Sequence, residues 1–219
     1  MTDKTPKRRA GRGAASRAGD QRVLRIIAGK HRGRRLRFPP LDSIRPTPDR
    51  VRETTFNWLQ GRMDGARCLD LFAGSGILGL EALSRGAAQV SFVESNRGAA
   101  TAIQSVLIEW RETGATVIAR DALEVLRQTA ATSLGGPFEV VFLDPPFDGG
   151  LLGCVAAALE HGDWLAAQAY IYLEHRAREP LPDLPENWRP LKSGRAGEVE
   201  YHLWARRAAD EESQGDSVK

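Results

Sequence analysis

The chain is expected to fold as an α/β protein built on an open, doubly wound, mostly parallel sheet. Three observations point there. From residue 66 onward, short β-rich apolar runs alternate with amphipathic helical stretches, the pattern that builds parallel sheets. The run Glu139-Val140-Val141-Phe142-Leu143 is almost continuously apolar, as a strand covered on both faces requires. A glycine-rich turn, Gly74-Ser75-Gly76, follows the first strand of that series. Ligand crevices in such sheets lie at the carboxyl ends of the strands.

The elements follow in order. Residues 1–22 are rich in Arg, Lys, Ala, Gly and Ser, with almost no large apolar side chain. They cannot offset the entropy of ordering and are assigned to a disordered basic extension. They hold no apolar stretch of the kind a secretory signal needs. Their Arg and Ser content imitates an organellar transit peptide, against which Asp3 and Asp20 argue. Residues 23–40 give a hairpin. Residues 23–27 are β-rich, 28–33 turn through two glycines, and Arg35-Leu36-Arg37-Phe38 alternates before Pro39-Pro40. One face of that hairpin is basic.

Residues 41–206 form the main domain, and 207–219 a polar, flexible tail. A helix is expected over 48–60, with Thr47 as N-cap and Pro48 at its first position. Val51, Thr55, Trp58 and Leu59 form its apolar stripe. Strands are expected at 68–72, 90–93, 116–119, 139–143 and 169–173. Helices are expected at 78–84, 96–111, up to 128, and 151–159. Residues 187–205 give two further strands around Ser193-Gly194-Arg195-Ala196-Gly197.

Composition sets the limits. With 219 residues, 42% of them hydrophobic, the chain suits one domain with a full core. No run of 18 apolar residues exists, so no membrane span or membrane partner is expected. The net charge of +3 hides an asymmetry: residues 1–52 carry +12 and residues 53–219 carry −9. A basic arm on an acidic body points to a polyanion, most simply nucleic acid. Two cysteines 86 positions apart make neither a disulfide scaffold nor a four-ligand zinc site. They fit a reducing compartment, taken as the cytoplasm. Cys68 and Cys154 are both assigned to the core. His161, His175 and His202 stand singly and are assigned structural or exposed roles. The five tryptophans are assigned to the interior.

Two motifs carry chemistry. In Asp70-Leu71-Phe72-Ala73-Gly74-Ser75-Gly76, small residues let a ligand approach the backbone at a helix N-terminus. Glu94 ends the next strand, where a carboxylate can accept from both hydroxyls of a ribose. Gly74-Ser75-Gly76-Ile77-Leu78-Gly79 also satisfies a dinucleotide fingerprint. Asp70 separates the two readings: a carboxylate there opposes a pyrophosphate and suits a cationic amino-acid moiety. Asp121 follows the third strand as a further acid, beside Ala122; locally it is equally a helix cap.

The second motif is Asp144-Pro145-Pro146-Phe147, after the fourth strand. Two prolines fix the turn. The exocyclic amine of a nucleobase is a poor nucleophile because its lone pair is delocalised into the ring. An Asp144 oxygen and the Pro145 carbonyl, accepting its two N–H bonds, would aim that lone pair and stabilise the growing positive charge. Phe147 would stack on the base, worth about 1–3 kcal/mol. Holding the reacting atoms in line supplies proximity, and the chemistry calls for no metal.

The glycine turn resembles motif I of class I S-adenosylmethionine-dependent methyltransferases, and Asp144-Pro145-Pro146-Phe147 resembles motif IV of the amino-methyltransferases. Further residues narrow the resemblance. They are Arg25-Ile26-Ile27-Ala28-Gly29, Arg32-Gly33-Arg34-Arg35-Leu36, Arg45-Pro46-Thr47, Arg50-Val51-Arg52-Glu53-Thr54, Phe56-Asn57-Trp58-Leu59 and Leu80-Glu81-Ala82-Leu83-Ser84-Arg85. Over roughly residues 22–205 the chain closely resembles the bacterial small-subunit ribosomal RNA guanine-N2 methyltransferases. That resemblance implies a seven-stranded, Rossmann-like sheet with one antiparallel strand, plus an N-terminal hairpin. It implies S-adenosylmethionine as cofactor and S-adenosylhomocysteine as product. The implied reaction is methylation of N2 of one 16S rRNA guanine, in the small subunit or its assembly intermediate, by a monomer.

In that frame Asp70, Phe72, Ala73, Gly74, Gly76, Glu94, Asp121 and Ala122 hold the cofactor. Asp144, Pro145, Pro146 and Phe147 hold the target amine. Arg25, Lys30, Arg32, Arg34, Arg35, Arg37 and Arg45 meet RNA phosphates, which position the enzyme without reading sequence. Residues 45–47 line the cofactor or base entrance. Motif IV alone does not read the base, so an adenine-N6 methyltransferase and a protein-glutamine N-methyltransferase stay open. From other classes, a dinucleotide oxidoreductase leaves Asp70 and Asp144 unexplained, and a non-catalytic RNA-binding module leaves the cofactor acids idle.

Overall fold

The computed structural model describes residues 22–38, 47–128, 131–146 and 150–207. The expectations for residues 1–21, for Arg45 and Phe147 and for the tail beyond 207 lie outside them. β1 (Arg22–Arg25) and β2 (Arg35–Phe38) pair as an antiparallel hairpin. α1 (Asp49–Trp58) leads into β3 (Arg67–Asp70). Then follow α2 (Ile77–Ser84), β4 (Gln89–Val93), α3 (Arg97–Trp110), β5 (Ala115–Ile118) and α4 (Ala122–Gln128). β6 (Phe138–Leu143), α5 (Leu151–His161), β7 (Leu165–Arg176), β8 (Trp188–Ala196) and β9 (Val199–Arg206) complete the described chain.

The main sheet has seven strands in the order β5-β4-β3-β6-β7-β9-β8. β3 to β7 run parallel, and β9 runs against both its neighbours, the single reversed strand expected. Strand order turns back at β3 and β6, so the connections leaving their carboxyl ends run to opposite faces of the sheet and open the crevice. Alternation along β6 explains its apolar run. Val140 and Phe142 join one core cluster, with Phe56, Leu80, Phe92 and Tyr172. Val141 and Leu143 join the other, with Leu69, Val155, Leu159 and Ile171.

The hairpin shares the first of these cores rather than standing apart. Ile26, Leu36 and Phe38 are buried in it. Its turn is bolted to α2. Glu81, fully buried, accepts from the backbone N–H groups of Ile27 (2.8 Å) and Ala28 (3.0 Å) and from Arg85 Nε (2.8 Å). Arg52, also fully buried, donates to Glu81 Oε2 at 3.4 Å, to the Arg25 carbonyl at 3.0 Å and to the Thr47 carbonyl at 3.2 Å. Lys30 N donates to the Ser84 carbonyl at 2.8 Å. Gly29 has φ +80°, and a Cβ there would lie 1.7 Å from that carbonyl oxygen; only glycine fits.

Four local expectations are corrected. Thr47 is not the helix cap: Pro48 occupies that position without a side-chain bond, because the Thr47 hydroxyl is spent on Glu174, at 3.2 Å. The strand expected at 169–173 is the middle of the twelve-residue β7. Residues 193–196 belong to β8, paired with β9, and the turn is Gly197-Glu198. β8 is an edge strand with an exposed, polar face, which imitates a loop in sequence. Cys154 is exposed on α5, whereas Cys68 is buried.

Candidate active site

The functional side chains gather at the carboxyl ends of β3, β4, β6 and β7. Asp70 ends β3 and is 3% exposed. Its Oδ2 accepts from Gly79 N at 3.0 Å. Burial pushes its carboxyl up to about 7, against that hydrogen bond, and the charge of Glu94 adds to the rise. Glu94, one residue past β4, accepts from Gly74 N (2.7 Å) and Asn96 N (2.6 Å). It therefore shapes the glycine turn and the start of α3, in addition to facing the crevice. Ala73 N donates to the Val93 carbonyl at 2.9 Å, and Phe72 packs on the second core cluster.

Gly74 and Gly76 have φ of +52° and +72°. A Cβ on Gly76 would come within 2.8 Å of Ile103 Cγ1. The left-handed backbone and the close approach of α3 both require glycine there. Asp121 caps α4, with Oδ1 accepting from Glu124 N at 3.0 Å. It is exposed and retains its second oxygen, while Ala122 is buried beside it.

Asp144 follows β6 directly. Its carboxyl has no hydrogen-bond partner among the described residues. Burial raises its proton affinity well above the usual carboxylate range, and the charges of Glu174 and Asp70 raise it further. Pro145 is buried and Pro146 exposed. Three acids on three parallel strands thus lean on one another with no cation paired to Asp70, Asp144 or Glu174 among the described residues.

Glu174 escaped the sequence reading. It lies near the end of β7, 5% exposed. Its Oε1 accepts from Tyr172 Oη at 2.7 Å and from Thr47 Oγ1 at 3.2 Å. Burial raises its proton affinity although both hydroxyls oppose the rise. The available signal was an acid closing the run Tyr170-Ile171-Tyr172-Leu173, where a buried strand should stay apolar. Thr47, expected near the entrance, meets this group.

The residues fit S-adenosylmethionine better than a dinucleotide. A crowd of unneutralised acids is relieved by a cation and aggravated by a pyrophosphate. The cofactor's ammonium and sulfonium supply that charge, and the glycine backbone leaves room for its approach. A shallow depression of about 340 Å3, lined by Arg62, Asp64, Glu139, Gln168 and Tyr170, opens at the amino ends of the strands and has none of this chemistry.

On the hairpin, Arg32 and Arg35 are exposed. Arg25 lies 3.9 Å from Asp49. Lys30 pairs with Glu112 at 2.9 Å, and His31 bonds the same carboxylate. Arg34 sits over Trp110, 5.4 Å from its ring centroid. The hairpin's cations therefore divide among contacts at the C-terminal end of α3, a pairing with α1 and open solvent. Arg37 lies on β2.

The fold recurs in known proteins. The family model described as "Conserved hypothetical protein 95" matches residues 24–205. Ribosomal RNA small subunit methyltransferase D of Escherichia coli (strain K12) is 44% identical over 194 residues, 89% of this chain and 93% of that protein. Its namesake from Haemophilus influenzae is 42% identical over 183 residues, 83% and 93% of the two chains. The solved structure of Escherichia coli yhhF superposes with a TM-score of 0.77 at 41% identity, covering 85% of this chain and 99% of that one. The matches run through the hairpin, the acid-lined crevice and the reversed strand alike, and the chain belongs to the ribosomal RNA small subunit methyltransferase D family of class I S-adenosylmethionine-dependent methyltransferases.

Proposed function

We propose that this protein methylates the exocyclic N2 amine of one guanine in 16S rRNA, within the small subunit or its assembly intermediate, working as a monomer in the cytoplasm. The observation that carries the reading is Asp144: a carboxyl with no partner among the described residues, followed by two prolines and beside the cofactor acids. Curated relatives named as small-subunit rRNA methyltransferases supply the substrate class.

The residues divide the work as follows. Asp70 meets the cationic amino-acid end of the cofactor, Glu94 its ribose and Asp121 its adenine amine. When bound, the cofactor supplies an electrophilic methyl group. The guanine leaves its stack, as base-modifying enzymes require, and Phe147 stacks on it. Asp144 and the Pro145 carbonyl accept the two N–H bonds, turn the lone pair toward the methyl group, and disperse the charge that develops on nitrogen. Positive charge arriving beside Asp70 and Asp144 favours their ionised forms, so the acceptor is switched on as the site fills. Arg25, Lys30, Arg32, Arg34, Arg35, Arg37 and Arg45 form the phosphate-facing set.

The test is methyl transfer from tritiated S-adenosylmethionine to small ribosomal subunits from cells lacking this protein, followed by nucleoside analysis. Label in N2-methylguanosine is expected. Label in N6-methyladenosine would keep the machinery and overturn the base. Absence of label from subunits, naked rRNA and DNA would move the reading to a protein amide.

A further inference from the structure

Outside the crevice, the β7–β9 pair brings a histidine of one strand against a glutamate and a histidine of the other. His175 lies opposite Glu200 across the ladder, and His202 lies two residues further along β9. Side chains two apart on a strand share a face, so all three project from the same side of the sheet. His175 Nε2 lies 3.0 Å from His202 Nε2. Glu200 Oε2 lies 3.8 Å from the first and 4.0 Å from the second. His175 is buried, and its two partners are half-buried.

We propose that His175, Glu200 and His202 form a binding site for a first-row divalent transition-metal ion, zinc in the first instance, which ties β7 to β9. Ligands bound tetrahedrally at zinc–nitrogen and zinc–oxygen lengths of about 2.1 Å stand about 3.4 Å apart. The three observed separations bracket that value, so seating an ion takes shifts of a few tenths of an ångström. Two imidazoles and a carboxylate are the donor set such ions favour. Two of the donors are oriented from outside the cluster. His175 Nδ1 lies 3.0 Å from the Arg176 carbonyl. A proton on Nδ1 leaves the Nε2 lone pair facing the cluster, the arrangement metal-bound histidines use. The Nε2–Nε2 approach then has one proton, on His202, and the ion replaces it as that ring changes tautomer. Glu200 splits its oxygens: Oε1 faces Arg195 Nη1 at 4.0 Å, while Oε2 faces both rings. The fourth position is left to water.

The site lies on the opposite face from Glu174, one residue away along β7. Its occupant would fix the strand end that carries Glu174 without entering the methyl-transfer crevice. The experiment uses the full chain with no histidine tag. Zinc is titrated calorimetrically, cobalt is titrated by visible absorption, and melting temperature is read with and without zinc. One equivalent of zinc, an intense low-coordinate cobalt band and an upward thermal shift are expected. His175→Ala and His202→Ala should each weaken zinc at least tenfold and abolish the cobalt band, with circular dichroism confirming the fold. Glu200→Gln should weaken it less. Cys154→Ser, removing an exposed competing thiol, should change nothing. The proposal is overturned if the wild type takes up no zinc at millimolar concentration, if His202→Ala binds as the wild type does, or if Cys154→Ser abolishes binding.

Discussion

Asp70 and Asp144 are paid for in stability by the empty protein, and pH exposes the cost. The folded carboxyl of Asp70 titrates at about 7 against an ordinary 3.8. The native state therefore binds more protons than the unfolded chain between those values. The stability that Asp70 contributes falls as pH rises from about 4 to about 7, and the loss is complete above that. Asp144 and Glu174 act in the same direction. Asp70→Asn keeps an oxygen for Gly79 N and removes the charge. It is expected to raise the melting temperature of the cofactor-free protein at pH 8, to leave it nearly unchanged at pH 4, and to lose most affinity for S-adenosylhomocysteine. Thermal melts across that range, with and without ligand, check all three. Asp144→Ala is expected to cut methyl transfer about 100- to 1,000-fold, the scale of losing an oriented electrostatic group, while fold and much of the cofactor affinity persist. Equal losses of activity and thermal stability would make Asp144 structural.

At the scale of elements, the hairpin is held by a buried ion pair. Arg52 and Glu81 are both fully buried, and each has a second ion partner, Asp49 for Arg52 and Arg85 for Glu81, so removing Glu81 takes the shared acceptor from two cations and from the Ile27 and Ala28 N–H groups. Glu81→Ala is expected to cost about 3–5 kcal/mol in chemical denaturation, more than any surface charge on the same hairpin. The exposed cations have a different signature. Arg32→Ala and Arg35→Ala should leave stability nearly unchanged. Each should flatten the dependence of log affinity on log salt for RNA by about one unit. An unchanged slope would remove those residues from the interface. Lys30 and Arg34 are expected to show mixed behaviour, because Glu112 and Trp110 already engage them.

At the scale of the molecule, the sheet acts as a frame that brings acids from separate strands to one crevice and leaves their repulsion unresolved. A cationic ligand resolves it. S-adenosylhomocysteine, whose ammonium would meet Asp70, is expected to raise the melting temperature in a concentration-dependent way, and NAD is not. The reverse result would restore the dinucleotide reading of Gly74-Ser75-Gly76.

The sequence alone determined the elements whose residues interact over short chain distances. The strands β3 to β6, the helices between them and the glycine turn are local patterns of period and backbone freedom, and they stand within a residue or two of where the pattern puts them. Asp70, Glu94 and Asp144 were legible because each ends or directly follows a strand, and the carboxyl ends of parallel strands share one edge of the sheet. Only the tertiary structure decided what depends on strand order and register. It turned Thr47 from a cap into a partner of Glu174, and placed Glu174 beside Asp144. It made Arg52 and Glu81 the hairpin's anchor, and brought His175 and His202 into contact across an antiparallel ladder. Those relations are fixed by burial shared between distant segments. A carboxylate or imidazole looks the same in sequence whether its partner is water or a residue a hundred positions away.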